Sequence, residues 1–291
     1  MLMEEQLRSF PMQIREALKI KKRVDLKNMD KIVIFGIGGS GCAGELFRDF
    51  MIDKINLPVI KSKNIFPSCL NSKTLVFVLS YSGNTKETIE LYKKSRKKTK
   101  NIFILSSGGK LGKEKNIIHI PIGLAPRESV VFMMSAMLVL LGRKDDVKKF
   151  NSLKKFDKKI PEKIAKTLMG KIPVIYAGSE KLNSLAYKWK INFNETSKIF
   201  AHCNFFTEIN HNEIEASFSK NIKVLVLVDK NYNFLKKIEK LVNLEKIKLL
   251  GKTELERIFY GILLGDYIAY YHAFLNKKNP LEINKVSYLK K

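Results

Sequence analysis

FGIGGSGCAGE (Phe35–Glu45) and LSYSGNTKET (Leu79–Thr88) are the two stretches on which the fold turns. Each follows a short apolar run, KIVIF (Lys31–Phe35) in the first case and TLVFVL (Thr74–Leu79) in the second. Continuous apolar, β-rich runs of this length read as strands buried on both faces, the pattern of a parallel sheet. A Gly-rich turn that leaves such a strand and opens a helix lets the backbone approach an anion closely, and the helix-terminal amides point at it. Gly36, Gly38 and Gly41 spell GxGxxG, the letters of a dinucleotide fingerprint. The acidic residue that fingerprint needs after the second strand is absent, since Asp49 and Asp53 fall within or near the helix. The plainer alternative is a tight strand-to-helix turn. In the second stretch Ser80, Ser82 and Thr85 set three hydroxyls around one point, and Gly83 permits the bend. Ser82 or Asn84 also fits an ordinary helix cap. Two such turns at the ends of adjacent parallel strands form a crevice of the kind where ligands bind.

The same alternation continues outward. Leu7–Ile20 has the spacing of an amphipathic helix, with Pro11 in its first turn. Asn101–Leu105 and Asn116–Ile120 are further strand-like runs, and Thr85–Lys98 is helical between them. Around Gly142–Lys159 the composition shifts to charged residues, and then the pattern restarts. Pro173–Ala177 is a strand closed by Gly178-Ser179, Asn183–Glu195 a helix, Lys223–Val228 and Glu245–Leu249 strands, and Thr253–Asn276 a long core helix. The expectation is an α/β protein of two similar halves, residues 1–145 and 146–291, each a flavodoxin-like parallel sheet flanked by helices.

Composition narrows the function classes. A chain of 291 residues with 45% hydrophobic residues can bury a large core, so general disorder is excluded. Cys42, Cys69 and Cys203 are widely spaced, which excludes a disulfide scaffold and a cysteine-rich zinc site and fits a reducing, cytoplasmic setting. The net charge of +26 invites a nucleic-acid reading. Yet 46 of the 54 basic residues are Lys and 8 are Arg, the better bidentate reader of phosphates and bases. Lys, Ile and Asn are abundant along the whole length, which looks like a coding bias, so no nucleic-acid partner is expected. Val130–Leu141 spans 12 residues where a bilayer needs about 20, and Ile258–Leu275 contains Asp266 and His272, so no membrane partner is expected either.

GIGGSG followed by SYSGNTKET resembles the sugar isomerase (SIS) domain, whose phosphate site uses a GGS turn and an SxSGxT loop. LAPRES (Leu124–Ser129), NFNETSK (Asn192–Lys198), EINHNEI (Glu208–Ile214) and the early SFPMQI extend the likeness. Together they resemble the bifunctional phosphoglucose/phosphomannose isomerases, from about Phe10 to the C-terminus. The resemblance implies two SIS domains, the first with the phosphate-binding turns and the second with the catalytic Glu and His. It implies that Gly39, Ser40, Ser80, Ser82 and Thr85 hold the phosphate of a small sugar substrate. Arg127 would stabilise enediolate charge, Glu195 would move a proton between C2 and C1, and His211 would open the sugar ring. It also implies a homodimer with shared active sites, His211 being a candidate for donation by the neighbouring chain.

Near the C-terminus the family carries a lysine, and Lys285 and Lys290 are the two candidates, the V-x-x-L-K ending favouring Lys290. Pro280-Leu281-Glu282 falls where Pro-Thr-Pro is often found, so a Thr that bears on the accepted C2 epimer is missing. No cofactor and no metal are expected, because no His/Cys/Glu cluster has ligand spacing. The rival readings are a non-catalytic sugar-phosphate regulator, which would need neither Glu195 nor His211, and another SIS sugar-phosphate isomerase.

Overall fold

The apolar runs form strands because Val, Ile and Phe suit a pleated surface covered on both sides. The computed structural model describes residues 2–149, 156–230 and 232–289. The chain divides into two units, one of Arg8–Phe150 and one joining Leu2–Leu7 to Asn151–Lys291. A division after residue 145 is the sequence expectation; here the N-terminal helix α1 (Met3–Arg8) is grouped mainly with the later residues, where Lys158 Nζ lies 3.0 Å from Glu4 Oε1. The single helix expected over Leu7–Ile20 breaks at Ser9, and α2 runs Phe10–Leu18 with Pro11 in its first turn. Proline has no N–H to continue a preceding helix, which is why the break falls there.

In the first unit β1 (Lys31–Phe35), β2 (Val59–Ser62), β3 (Thr74–Leu79), β4 (Ile102–Ser106) and β5 (Ile117–His119) form an all-parallel sheet in the order β2-β1-β3-β4-β5. Its helices are α2, α3 (Gly38–Met51), α4 (Lys86–Arg96), α5 (Val130–Leu140) and α6 (Lys144–Lys148). Alternate residues of the strands face opposite helices. Val33, Phe35, Val76 and Val78 pack with Leu91 and Tyr92 of α4, while Phe77 meets Phe47 of α3 edge-on at 6.1 Å. All six residues of β3 are buried, and each large apolar side chain so placed stabilises the fold by about 1.5–3 kcal/mol.

In the second unit β6 (Ile172–Ala177), β7 (His202–Phe205), β8 (Ile222–Val228) and β9 (Leu244–Lys248) are also parallel, in the order β7-β6-β8-β9. The helices are α7 (Lys159–Thr167), α8 (Asn183–Glu195), α9 (Leu235–Ile238), α10 (Glu254–Leu275) and α11 (Asn284–Tyr288). Thr253 and Glu256 close a capping box at the start of α10. Trp189 of α8 is fully buried and donates its indole N–H to the Gly261 carbonyl of α10 at 2.8 Å. Both sheets reverse strand order at their first strand, so each has a switch point, between β1 and β3 and between β6 and β8. The expected α/β architecture of parallel sheets flanked by helices is what the chain adopts. No helix among the described residues is long and apolar enough to cross a membrane.

Candidate active site

The register aligns Phe35 with Val78, so β1 and β3 end at one level and their turns lie side by side. Gly36 and Ile37 alone separate β1 from α3. Gly39, in the first turn of α3, lies against the Pro126–Glu128 turn; a Cβ there would sit 2.7 Å from the Arg127 backbone N and Cα. Only glycine lets these two segments meet. Ser40 is buried, and its Oγ accepts the Tyr81 N–H at 3.0 Å, which ties the glycine turn to the SYSGNT loop. Within that loop the Ser80 and Thr85 hydroxyls are 3.1 Å apart, and Ser82, exposed at the tip, accepts the Asn84 N–H at 3.3 Å. Gly83 has φ +66°, and a Cβ on it would lie 1.8 Å from the Gly108 carbonyl oxygen. Gly39, Ser40, Ser80, Thr85 and the Arg127 backbone are therefore linked by a short chain of contacts, with Ser82 at the loop's outer edge.

Arg127 is 1% exposed, with Nε 3.5 Å from Glu128 Oε1. It is not a surface arginine. Contacts of side chains with no expected role brace this region. Tyr81 Oη accepts the Leu124 N–H at 2.8 Å and donates to the Pro121 carbonyl at 3.2 Å, pinning the segment that leads into Arg127. The turn after β4 braces the loop from the other side: Ser107 Oγ donates to the Tyr81 carbonyl at 2.6 Å, and Asn84 Oδ1 accepts the Lys110 N–H at 3.0 Å. Lys61 of β2 reaches beneath the glycine turn, its Nζ donating to the Gly36 carbonyl at 2.9 Å, with Glu45 3.4 Å away. Burial pushes the Lys61 ammonium below its usual range against the pull of Glu45.

In the second unit Glu195 is the last residue of α8. The buried face of that helix is fixed by polar bonds: Lys188 Nζ meets Asp266 Oδ1 of α10 at 2.5 Å and Asn192 Oδ1 at 2.6 Å, and Asn192 Nδ2 donates to the same Asp266 oxygen at 2.6 Å. Glu195 is half-buried on the wall of a cavity of about 560 Å³ that Lys198, Glu282 and Lys285 also line. Lys198, at φ +61°, donates through Nζ to the carbonyls of Glu195 and Glu282, so it joins the helix end to the C-terminal segment. Lys285 thus shares a cavity wall with Glu195, and Lys290 lies outside the described residues.

His211 is exposed on a short 3-10 turn, Ile209–His211, and is not among the residues lining that cavity. Two residues on, Glu213 is the centre of a cluster with Tyr176, His202 and Asn204. Burial alone would raise its carboxyl, but hydrogen bonds from Asn204 and Tyr176 and the nearby His202 outweigh that and hold it below 4.5. Burial and the Glu213 carboxylate push the Tyr176 phenol upward. Among the described residues, no three His, Cys, Asp or Glu side chains group as metal ligands would.

Residues 157–291 match the family profile of the bacterial phospho-glucose isomerase C-terminal SIS domain. The bifunctional phosphoglucose/phosphomannose isomerase of Thermoplasma volcanium is 33% identical, the match covering 96% of each chain. The enzyme of that name from Caldicellulosiruptor bescii is 32% identical over 99% of this chain and 98% of its own. Among solved structures, the C-terminal domain of glucosamine-fructose-6-phosphate aminotransferase from Francisella tularensis superposes with a TM-score of 0.75 at 15% identity, covering 94% of this chain and 96% of that one, a likeness of fold. With a third of its residues shared along nearly the whole length, this chain belongs to the family of bifunctional phosphoglucose/phosphomannose isomerases.

Proposed function

We propose that this protein interconverts glucose 6-phosphate and mannose 6-phosphate with fructose 6-phosphate, without a metal, through a cis-enediolate. The observation that carries the reading is the near-full-length likeness to enzymes of that name, in a chain that has both hydroxyl-lined strand-end loops and a half-buried glutamate on a cavity wall. The first unit binds the phosphate. Amides at the start of α3, from Gly39 onward, and the hydroxyls of Ser40, Ser80, Ser82 and Thr85 donate to its oxygens. His211 opens the ring by moving a proton between the ring oxygen and the anomeric hydroxyl.

The second unit supplies the base. The Glu195 carboxylate takes the C2 proton of the aldose, and the C–H electrons form the C1–C2 double bond as charge moves onto O1. Glu195 then returns the proton to C1 while the O2 hydroxyl proton passes to O1, so that O1 becomes a hydroxyl and O2 the ketose carbonyl. Arg127, poorly screened because it is buried, stabilises the enediolate charge. Return of the proton to either face of C2, after rotation about C2–C3, gives both aldoses. Lys285, on the same wall as Glu195, is the described candidate for the family's terminal lysine, and Lys290 is the other. The enzyme is a cytoplasmic homodimer whose partner chain supplies His211 to a shared site, and it serves glycolysis or gluconeogenesis.

The test is a coupled assay of purified protein on fructose 6-phosphate, with both aldoses measured, with and without a chelator. Formation of both, unchanged by the chelator, is expected. Tight binding of the sugar phosphate with no turnover would make the protein a regulator instead.

A further inference from the structure

Glu213 lies in the same segment as His211, yet it faces the sheet. Its carboxylate gathers three side chains from two adjacent strands: Tyr176 Oη of β6 at 2.8 Å, Asn204 Nδ2 of β7 at 2.5 Å and His202 Nε2 of β7 at 3.2 Å. The register explains how they converge. Tyr176 is paired with Asn204, and His202 lies two residues earlier on β7, so all three side chains share one face of the sheet. A carboxylate has about four acceptor positions, enough for all three partners at once. A neutral amide has one oxygen and brings donors of its own, so it cannot replace this arrangement.

The rest of the segment is held differently. Ile209 is buried in the neighbouring apolar cluster and Ile214 packs against it. Apolar contacts of this kind carry no direction. The turn's own bonds are local: the Asn212 side chain accepts the Glu213 N–H at 2.5 Å and donates to Glu208 Oε1 at 2.8 Å. The bonds of Glu213 to β6 and β7 thus give this turn a directional link to the sheet.

We propose that Glu213 is a positioning residue for His211: its clamp on Tyr176, His202 and Asn204 fixes where the imidazole projects, and so governs ring opening and not proton transfer at C1–C2. This rests on the reading of His211 as the ring-opening group. The two steps are separable, because exchange between the α and β anomers of glucose 6-phosphate requires ring opening but not Glu195.

The experiment measures anomer exchange by NMR, above the uncatalysed rate, beside isomerisation in the full-length protein. Glu195→Gln should exchange anomers without isomerising. Glu213→Gln should lose about tenfold or more in catalysed exchange and in isomerisation kcat, the scale expected of a misplaced catalytic group, with KM within about twofold of wild type. Tyr176→Phe, which removes one clamp bond and keeps the carboxylate, should show a smaller loss of the same kind. It decides the matter if Glu213→Gln does not fold. If His211→Ala stops exchange while the clamp variants exchange at the wild-type rate, the clamp is structural and the proposal fails on its own. If His211→Ala exchanges normally, the role of His211 fails and takes the proposal with it.

Discussion

In the first unit the chain leaves β1 and enters α3 after two residues, and the candidate groups gather at the helix N-terminus. In the second unit β6 is followed by Gly178, Ser179 and one 3-10 turn, Glu180–Leu182, before α8 begins, and the candidate carboxylate stands at the far end of that helix. The two helices follow equivalent strands of two sheets that share the order of four strands, yet their candidate groups lie at opposite termini. An N-terminus offers unpaired amides and a positive dipole end, suited to binding an anion through the backbone, and glycines let the ligand come close. A C-terminus offers carbonyls, and here Lys198 donates to that of Glu195, the residue proposed for the proton chemistry. The proposed function thus gives binding to one helix end and proton chemistry to the other.

That division is most severely strained by breaking the support of α8. Asp266→Ala leaves Lys188 buried without its counter-charge and should cost about 3–5 kcal/mol in denaturant unfolding. A cost under about 1 kcal/mol would mean that the Lys188–Asn192–Asp266 bonds do not hold the helix. Next in size is the corresponding break in the first unit. Gly83→Ala forces a side chain at φ +66° against the Gly108 carbonyl, for about 1–3 kcal/mol of backbone strain alone. It should appear as a roughly tenfold or larger rise in KM for the sugar phosphate. An unchanged KM would contradict the place of this loop in phosphate binding.

Much of this comparison is legible in the amino-acid sequence. β1, β3 and α8 are framed by the residues expected of them, because an uninterrupted Val/Ile/Leu/Phe run or a 3.6-residue period is a local signal. β2 and β7 are not legible. Each is an edge strand, half-buried, of mixed sequence, VIKS and HCNF, and each is held by its neighbour more than by its own composition. These silent strands carry supporting side chains, Lys61 beneath the glycine turn and His202 and Asn204 around Glu213. Tyr81 with Leu124 and Lys188 with Asp266 are 43 and 78 residues apart, and no local pattern encodes such pairs. Asp266 left one trace, a carboxylate inside an otherwise apolar helix, which is the mark of a buried charge that needs a partner.

Two smaller effects sharpen the contrast. Hydrogen bonds hold the Glu213 carboxyl below 4.5, and a carboxylate so depressed adds stability that is present above that value and fades as pH falls through its folded value. Glu213→Gln should therefore lie about 1–2 kcal/mol below wild type at neutral pH, with the gap in Tm closing as pH drops below 4.5. A gap that widens in acid would have the wrong sign. In the proposed site Ser82→Ala and Thr85→Ala each remove one charge-assisted hydrogen bond to the phosphate, about 1.5–3 kcal/mol, and should raise KM with kcat near wild type. If neither variant changes KM, the phosphate binds elsewhere.

The division between the two helix ends is tested most directly by calorimetric titration of Glu195→Gln with 6-phosphogluconate. The amide keeps the shape of the side chain and cannot accept a proton. Binding should match wild type within about twofold, in a protein whose kcat has fallen by the ~10²-fold or more expected on loss of a general base. Binding lost together with turnover, or retention of more than about a tenth of the wild-type kcat, would contradict it.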